Sequence, residues 1–395
     1  MSQTKAQLLS GTSAQDLTVD NINTTSINSG QTSGIKNLVI NGAMQVAQRA
    51  TTNNTAGASS TYKTLDRYMV QIQAGTLTES QQDLSSSDTG PWEKGFRKYM
   101  RILNQSGIGA GAAQYAEIDQ RIEAQNIAQS GWDYTSSSSY ITLSFWVRAS
   151  VAQAYVAVLY SNDGTQRHYP FEIKDSGGST LSANTWTKIT KTIPGNSGIT
   201  VNNDNGIGAV LSFITAYGTD YTSSSGTFDA WNTTGGGTDR WPDMTTTWAT
   251  TTNATFDITG VQFEVGDTAT EFEHRPYQTD LRDCQRYYAK SYTDGTALQT
   301  ATSVGAICST CYSSIAYASA GTGFWPVQMR TTPTVTIYST HTGGTAGKIA
   351  ADTTDGNGTC TFISDKSGFF VRSNDSSGTG ANVYLKVHYQ ADAEL

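Results

Sequence analysis

The sequence predicts a mostly β protein, and three observations indicate this fold class. Only 15% of the 395 residues are charged, whereas Gly occurs 38 times and Ser and Thr are abundant. Charged residues usually solubilise helix faces, and Gly, Ser and Thr are poor helix formers. Aromatic residues make up 10% of the chain, which argues against disorder because they supply large apolar faces. Short segments of alternating hydrophobicity between turn residues then predict antiparallel β-sandwiches.

The N-terminal segment, residues 1–34, contains no aromatic residue and only scattered apolar side chains such as Leu17 and Ile22. Such a segment cannot close a hydrophobic core alone. It is either a terminus without fixed structure or an extended arm that packs against copies of itself or a docking protein. We favour the arm because the spaced apolar residues need a partner.

Residues 35–278 are predicted to form the larger β domain. Residues 141–148 place Ile, Leu, Phe and Val on one face and Thr, Ser, Trp and Arg on the other, which is typical of a half-buried strand. Residues 155–160 form a uniformly apolar strand, and residues 186–193 form a strand that ends at a Pro-Gly turn. The alternation changes phase at residues 259–260, which predicts a β-bulge there.

Residues 279–290 are predicted to form a connector helix. Thr279 can serve as its N-cap, and Leu281, Cys284 and Tyr288 fall on one helical face.

Residues 291–395 are predicted to form a second, smaller β domain. Short alternating segments separated by Gly-rich turns indicate its strands, at residues 334–338, 360–363, 369–371 and 383–389.

Charge and hydropathy exclude several partners. The net charge of −8, without any Lys/Arg run, argues against nucleic-acid binding. No apolar stretch approaches the ~20 residues of a membrane span, so we expect no membrane insertion. Residues 1–10 lack the apolar region of a signal peptide, and we therefore expect synthesis in a cytoplasm without export by that route.

Two glycine or cysteine motifs carry weak signals. Residues 107–112 match G-x-G-x-x-A, but residues 115–123 behind them alternate like a strand, so a turn is favoured over a dinucleotide site. Cys308 and Cys311 have C-x-x-C spacing, but residues i and i+3 of a strand face opposite sides. We favour small buried side chains over a zinc half-site, and we predict neither metal nor cofactor.

Catalytic side chains are not indicated by any motif. Glu117 and Asp119, like Glu271 and Glu273, have the i, i+2 spacing that places two carboxylates on one side of a strand. Glycosidases use such pairs, but a solvated strand face is the simpler interpretation. We therefore predict a protein that is not an enzyme.

An aromatic-rich segment between two strands is the candidate carbohydrate-binding site. Sugars stack their C–H faces on rings and need directed hydrogen bonds for their hydroxyls. Packing of these rings onto the sandwich, or a subunit interface, is the favoured alternative. The candidate residues are Tyr217, Tyr221, Trp231, Trp241 and Trp248, with Asp239 and Arg240 beside them.

Five motifs follow one another along the chain, at residues 37–49, 65–68, 120–123, 143–148 and 259–266. In this order they resemble a jelly-roll module common in bacteriophage tail fibres and other virion appendages. The continuation of such proteins is similar to residues 271–277, 284–288, 326–335 and 391–395. Residues 4–9 are weakly similar to fibre proteins of aquatic phages such as cyanophages.

The resemblance implies an antiparallel jelly-roll β-sandwich, a smaller C-terminal β-sandwich domain and a homotrimer within a virion tail or appendage. Residues 1–34 would attach to other virion proteins or trimerise, and the distal domains would contact a host glycan or protein receptor. The module is also similar to carbohydrate-binding jelly rolls with an Asn-x-x-x-Asn-Gly strand and a structural calcium ion. Met44 and Gln45 replace the acidic residues expected after Asn41-Gly42.

The leading hypothesis is therefore a phage tail fibre or appendage protein that mediates attachment to the host cell. A virion adaptor or head-decoration protein without receptor binding is the structural alternative. A capsule depolymerase is the enzymatic alternative, disfavoured because no fixed repeat indicates a β-helix. A bacterial glycan-binding protein is disfavoured by the missing export signal.

Overall fold

The computed structural model contains a jelly-roll domain followed by a smaller β domain. It describes residues 26–27, 30–31, 36–233, 241–311, 319–343, 345–351, 354–364, 366–373 and 383–395. Within residues 1–34 it describes only two short paired strands, β1 (Ser26–Ile27) and β2 (Gly30–Gln31). The rest of the predicted arm lies outside the described residues.

The larger domain is a β-sandwich with two short helices, α1 (Ala124–Ala128) and α2 (Thr247–Thr250). Its strands are β3 (Thr52–Ala56), β4 (Ser59–Thr61), β5 (Tyr68–Ile72), β6 (Thr76–Asp83), β7 (Lys98–Ser106), β8 (Tyr115–Glu123), β9 (Tyr140–Ala149), β10 (Tyr155–Ser161), β11 (Arg167–Ile173), β12 (Thr187–Pro194), β13 (Ile207–Tyr217), β14 (Thr222–Ser223), β15 (Asn232–Thr233), β16 (Trp241–Pro242) and β17 (Thr255–Val265).

Two antiparallel sheets form this sandwich. The seven-stranded sheet has the order β15-β11-β10-β13-β8-β5-β4, and the six-stranded sheet has the order β12-β9-β17-β7-β6-β3. The two-residue strands β14 and β16 pair with each other in parallel. The predicted mostly β jelly-roll sandwich is confirmed.

Alternating residues of both sheets fill the core. Ile141, Leu143, Phe145 and Val147 of β9 all point into it, as the sequence predicts, and Phe145 meets Phe213 of the opposite sheet at a ring-centroid distance of 5.0 Å. On β10, residues 155, 157 and 159 also face this core, whereas residues 156 and 158 join a second apolar cluster on the outer side of the sheet. The strand is uniformly apolar because both of its faces are covered.

The predicted bulge is present in β17. The register with β9 shifts between Thr259 and Gln262, so Phe256 and Phe263 both face the core despite their different parity. Gly260 has φ +63°, and a Cβ there would lie 2.6 Å from the ring of Phe96. Glycine is therefore required at this position on two independent grounds.

The connector helix begins earlier than the sequence predicts. Helix α3 spans Tyr277–Gln285, with Pro276 as its N-cap. Proline is compatible with this position because its fixed φ suits a helix start and its missing N–H costs no helical hydrogen bond. Thr279 consequently lies inside the helix and is not its N-cap. Leu281 and Cys284 are buried as predicted, whereas Tyr288 belongs to the following strand.

The smaller domain is formed around its last strand. Its strands are β18 (Tyr288–Lys290), β19 (Ile307–Cys311), β20 (Ser319–Phe324), β21 (Thr334–Ser339), β22 (Lys348–Ala351), β23 (Thr354–Ser364), β24 (Gly368–Ser373) and β25 (Val383–Asp392). β25 pairs with β18, β19, β21 and β22, and β23 links this group to β24 and β20. All four predicted strand segments lie within these strands. Because β18 pairs with β25, residues 288–290 are part of this domain and not of the connector.

Buried charges hold the two domains together. Arg67 is 1% exposed, forms an ion pair with Glu394 and places its guanidinium 3.5 Å from the ring centre of Tyr287. Arg49 pairs with Glu394 at 3.3 Å and lies 3.7 Å from the ring centre of Tyr288. Guanidinium groups pair with carboxylates and stack on rings at the same time, which suits them to buried junctions.

A second set of contacts extends this junction. Arg286 binds both oxygens of Glu123 at 2.7 and 2.9 Å, and the Tyr287 hydroxyl donates to the same carboxylate at 2.5 Å. Arg121 donates to the Leu395 carbonyl at 2.6 Å. The motif residues 65–68, 120–123, 284–288 and 391–395 therefore meet at one place, so this part of the resemblance reflects how the domains are joined. No helix in the described parts of the chain is long and apolar enough to cross a membrane.

Candidate functional site

The predicted aromatic segment folds over the outer face of the seven-stranded sheet. Tyr217 and Trp241 are 4% and 3% exposed and pack on Val156, Val158 and Ile214. These three aliphatic residues come from the outward sides of β10 and β13. The segment therefore covers the sheet and shields an apolar cluster of its own.

Ring contacts join the tyrosines of this cluster. Tyr217 stacks on Tyr115 at a centroid distance of 5.3 Å, and Tyr221 meets both rings edge-on at 5.5 Å. Trp241 lies 6.2 Å from Tyr217. The structure thus brings Tyr217, Tyr221 and Trp241 together as predicted, but Tyr217 and Trp241 are packing residues with little surface left for a ligand.

The other candidates lie elsewhere. Trp248 is fully buried in the main core, so its ring has no face available to a sugar, in disagreement with its predicted role. Trp231 is half-buried, donates through its indole nitrogen to the Pro194 carbonyl at 2.7 Å and contacts Tyr169 edge-on. Asp239 and Arg240 lie outside the described residues.

The carboxylates of Glu117 and Asp119 share the outer face of β8, as the sequence predicts, but they are buried and not solvated. The Gln71 amide donates to Asp119 at 2.5 Å and to Glu117 at 3.1 Å. Ser212 donates to Asp119 at 2.5 Å and the Tyr217 hydroxyl to Glu117 at 2.8 Å. Because side chains of β5 and β13 bond to both carboxylates and leave them buried, the two carboxylates are not presented to a substrate.

One shallow groove remains beside this segment. It has a volume of about 240 Å³ and is lined by the apolar side chains of Phe228 and Met244 and by two carboxylates, Glu172 and Asp243. Glu172 pairs with Lys174 at 2.5 Å, and Asp243 accepts a hydrogen bond from Thr222 at 2.7 Å. The groove has acceptors for hydroxyl groups but offers a single ring.

The outer face of the six-stranded sheet carries a different aromatic cluster. Rings of Trp92, Trp146, Trp186 and Phe272 are only half-buried there and pack around Phe96. Phe96 and Phe272 meet edge-on at a centroid distance of 4.7 Å. Unlike Trp241 on the other face, these rings keep part of their surface exposed.

Ion pairs attach residues 84–97, the segment between β6 and β7, to this face. Asp257 is fully buried and accepts hydrogen bonds from Arg101 at 2.7 Å and from Arg148 at 2.9 Å. Arg148 also reaches Asp88, which accepts a bond from the Trp186 indole at 3.1 Å. Although desolvation acts in the opposite direction, these bonds and those from Ser85 lower the pKa of Asp88. The charged carboxylate of Asp88 therefore attaches this segment to the sheet.

A pocket of about 110 Å³ opens on this face between the sheet and residues 271–274. Trp146 and Phe272 supply apolar walls, and Lys94 and Glu271 supply an ammonium and a carboxylate that pair at 3.3 Å while remaining exposed. Lys188, which pairs with Trp146 across the strands, adds a second ammonium. A ring face beside exposed donors and acceptors is the combination that a sugar residue requires.

The sequence predicts the carbohydrate-binding site on another segment, although β9 carries a signal for this pocket. Trp146 lies on the polar side of β9 together with Thr, Ser and Arg, which is an unusual place for a large ring unless it packs under a loop or meets a ligand. On the seven-stranded sheet, the uniformly apolar sequence of β10 was the signal that the outer face is covered.

The remaining motifs have structural roles. Residues 107–112 form a turn that leads into β8, as predicted. Cys308 is exposed and Cys311 buried on β19, which confirms their opposite faces and shows that Cys308 is not a buried side chain. In the described residues, no cluster of His, Cys, Asp and Glu has a metal-binding arrangement. The carbonyls of Met44 and Gln45 accept hydrogen bonds from the Gln81 amide at 2.8 and 3.0 Å.

The N-terminal Asn-x-x-x-Asn-Gly motif forms a turn and not a strand. Asn37 bonds to the backbone of Val261 and Phe263 at the bulge, each at 3.0 Å. Asn41 binds the carbonyls of Val46 and Asp66. The two asparagines therefore tie the start of the jelly roll to its last strand and to β5.

Comparison with known proteins gives similarity at the level of the fold. No protein-family model matches the chain, and no curated protein sequence matches it. A solved enzymatically active domain of tailspike protein 4 from bacteriophage CBA120 is 11% identical with a TM-score of 0.28, and the match covers 58% of this chain but only 21% of that chain.

Two further solved structures are similar to the same extent. A putative sugar-binding protein from Bacteroides thetaiotaomicron is 14% identical with a TM-score of 0.29, covering 58% of this chain and 99% of that one. The CBM22-1 and GH10 modules of xylanase 10B from Clostridium thermocellum, complexed with xylohexaose, are 11% identical with a TM-score of 0.25, covering 61% and 29%. At these values the similarity identifies neither a ligand nor a function.

Proposed function

We propose that this chain is a homotrimeric, non-enzymatic attachment protein of a virion tail or appendage, and that its jelly roll binds a host surface glycan. The ordered motifs that resemble virion appendages support the location. The pocket around Trp146 supports the glycan. In this proposal the chain is made in the host cytoplasm, and residues 1–34 attach it to other virion proteins.

The observation that carries the proposal is the half-exposed ring of Trp146 beside Lys94, Lys188 and Glu271. A sugar can stack on the indole while its hydroxyls bond to the carboxylate and the ammonium groups. The pocket of about 110 Å³ is smaller than the ~300–1,000 Å³ of typical ligand sites. It therefore suits one residue of a longer polysaccharide.

A small pocket implies weak binding by each subunit. Linking three such sites in a trimer raises the effective concentration of the second and third, and avidity can exceed a single-site affinity by about 10²–10⁴. Glycan binding at this pocket and trimer formation are thus connected physically, since the first is useful for attachment only with the second.

The experiment is a binding assay of the full-length protein against a panel of bacterial surface polysaccharides. Trp146→Ala should reduce binding to the best polysaccharide at least tenfold, because the stacking surface is lost. Tyr384→Ala is the matched control, since it removes a 53% exposed ring from the smaller domain. Circular dichroism must show that both variants stay folded. Binding to no polysaccharide, or equal binding by Trp146→Ala and wild type, would contradict the proposal.

A second candidate function is a virion adaptor. It is favoured by the meeting of four motif segments at the domain junction, because these residues join domains and leave no receptor-specific signal. An adaptor should restore particles that lack this protein but should not bind host cells. Binding of the purified protein to cells, without other virion components, excludes this alternative.

A further inference from the structure

A wide cleft lies where the jelly roll, α3 and the smaller domain meet. It has a volume of about 630 Å³ and shares no lining residue with the Trp146 pocket. One wall comes from residues 36–40, another from residues 126–130, a third from α3 and the last from residues 327–328. Its size falls in the range of ~300–1,000 Å³ that accommodates small-molecule ligands.

Positive charge is concentrated in this cleft although the chain as a whole carries −8. Lys36, Arg275, Arg282 and Arg286 line it, against one lining carboxylate, Asp283. The local balance therefore differs from the average surface of the molecule. A cleft lined by one sign of charge concentrates ligands of the opposite sign.

Two of these four cations are already neutralised. Arg286 binds Glu123 through two hydrogen bonds, and Arg275 pairs with Asp283 at 2.5 Å and with Asp280 at 3.4 Å. These pairs fix the walls of the cleft. They are not available to a ligand without breaking buried ion pairs.

The other two cations have no carboxylate partner among the described residues. Arg282 is exposed on α3 and has neither an ion pair nor a hydrogen bond there. The Lys36 ammonium bonds only to neutral oxygens, the Thr270 hydroxyl and the Glu271 carbonyl, both at 2.6 Å. The guanidinium of Arg282 can therefore donate two hydrogen bonds to a carboxylate in the bidentate geometry that arginine favours.

Uncharged polar groups complete the lining. Asn126, Gln129, Ser130 and Gln328 present amides and a hydroxyl to the cleft. Side-chain amides carry donors and acceptors together, which matches the neighbouring hydroxyls of a sugar ring. The Gln129 amide also donates to Asn203 at 3.2 Å and the Ser130 hydroxyl to the Ile127 carbonyl at 2.8 Å. A simple inorganic anion would make no use of the amide oxygens in this lining.

We propose that this cleft binds an acidic saccharide, with the carboxylate of a uronic acid on Arg282 and its ring hydroxyls on the amides of Asn126, Gln129 and Gln328. This inference rests on the proposed function and sharpens it, because it names acidic polysaccharides as the glycan class. Since the walls come from both domains, the bound saccharide bridges them.

Titration calorimetry with the full-length protein tests this inference. The probes are a galacturonic acid trimer and the neutral galactose trimer. We expect the acidic trimer to bind at least tenfold more tightly than the neutral one. Arg282→Ala should weaken the binding of the acidic trimer at least tenfold, whereas Arg282→Lys should retain part of this affinity. Lys63→Ala, which removes a positive charge elsewhere, is the control and should leave the affinity unchanged. Raising the salt concentration should weaken binding.

The outcomes separate the two proposals. Equal affinity for both trimers, or unchanged binding by Arg282→Ala, overturns the cleft proposal while binding that depends on Trp146 still supports glycan attachment. Equal binding of a tri-glutamate peptide shows that the cleft recognises charge without sugar and also overturns it. Loss of binding in Arg282→Ala with normal binding in Trp146→Ala supports the cleft as a separate site.

Discussion

The two outer faces of the jelly roll use the same kinds of side chain for different ends. On the outer face of the seven-stranded sheet, the rings of Tyr217 and Trp241 and the carboxylates of Glu117 and Asp119 are buried. On the six-stranded sheet, rings and the charges of Lys94 and Glu271 stay at the surface around a small pocket. The difference teaches that an aromatic-rich, carboxylate-containing segment indicates a binding site only when its rings remain exposed.

The largest expected effect is a difference in the free energy of unfolding between tryptophan variants of the two outer faces. Trp241→Ala should lower the free energy of unfolding by about 3–5 kcal/mol, because it empties a buried site. Trp146→Ala should cost about 1 kcal/mol, since the ring is half exposed. Urea denaturation of both variants measures the contrast. Similar losses for the two variants would show that the two faces do not differ in this way.

A second variant addresses the buried carboxylates. Asp119→Ala should cost about 2–4 kcal/mol, because Gln71 and Ser212 lose the charged acceptor that they share. The same measurement on Asp119→Asn should give a smaller loss, since an amide oxygen still accepts. If the alanine variant is as stable as wild type, the hydrogen-bond network of Asp119 does not contribute to the stability of the sheet.

The domain junction extends the contrast to pH. Burial raises the pKa of Asp66 to about 6, although the neighbouring Arg49 charge opposes this, whereas an unfolded aspartate has a pKa near 3.9. The folded state therefore binds a proton that the unfolded state lacks between these values, so this contribution to stability is present at low pH and is lost as pH rises through 6.

Wild type should gain about 1 kcal/mol relative to Asp66→Asn when the pH is lowered from 7 to 5. Denaturation of both proteins at the two pH values checks the sign and the size. Asp83→Asn serves as the control because this carboxylate is 79% exposed. A constant difference between wild type and Asp66→Asn at both pH values would contradict the prediction.

The smallest effect on stability is expected at the open pocket. Glu271→Gln breaks an ion pair between exposed groups, 51% and 79% accessible, and should change the free energy of unfolding by less than about 0.5 kcal/mol. Polysaccharide binding should nevertheless weaken, because the pocket loses its charged acceptor. A loss of stability above 1 kcal/mol would place this residue with the buried carboxylates of the other face.

Local sequence patterns predicted the strands of the sheets well, but they predicted poorly which residues pack on the outer faces of those sheets. The alternation of β9 and the phase change at Gly260 depend on side chains that point into one core, so both could be derived from the sequence alone. Helix α3 starts two residues before the predicted position because Pro276, and not Thr279, is its N-cap. The connector also ends earlier than predicted, since β18 pairs with a strand a hundred residues away.

The candidate site shows the same limit. Spacing correctly placed Glu117 and Asp119 on one face of β8 and Cys308 and Cys311 on opposite faces of β19. It did not show that the first pair is buried, because burial depends on Gln71 of β5 and Ser212 and Tyr217 of β13, which are distant in sequence. The pocket of Trp146 was missed for the same reason, since its second wall comes from residues 271–274.

The buried junction between the domains also has a mechanical consequence. Arg49 and Arg67 of the jelly roll form ion pairs with Glu394 of the smaller domain. Glu123 of the jelly roll pairs with Arg286, which directly follows α3. A pull on the smaller domain therefore has to extract several desolvated charges at once before any bending begins. Force applied at one end of the molecule would thus reach the other end through a stiff lever instead of being absorbed by a hinge.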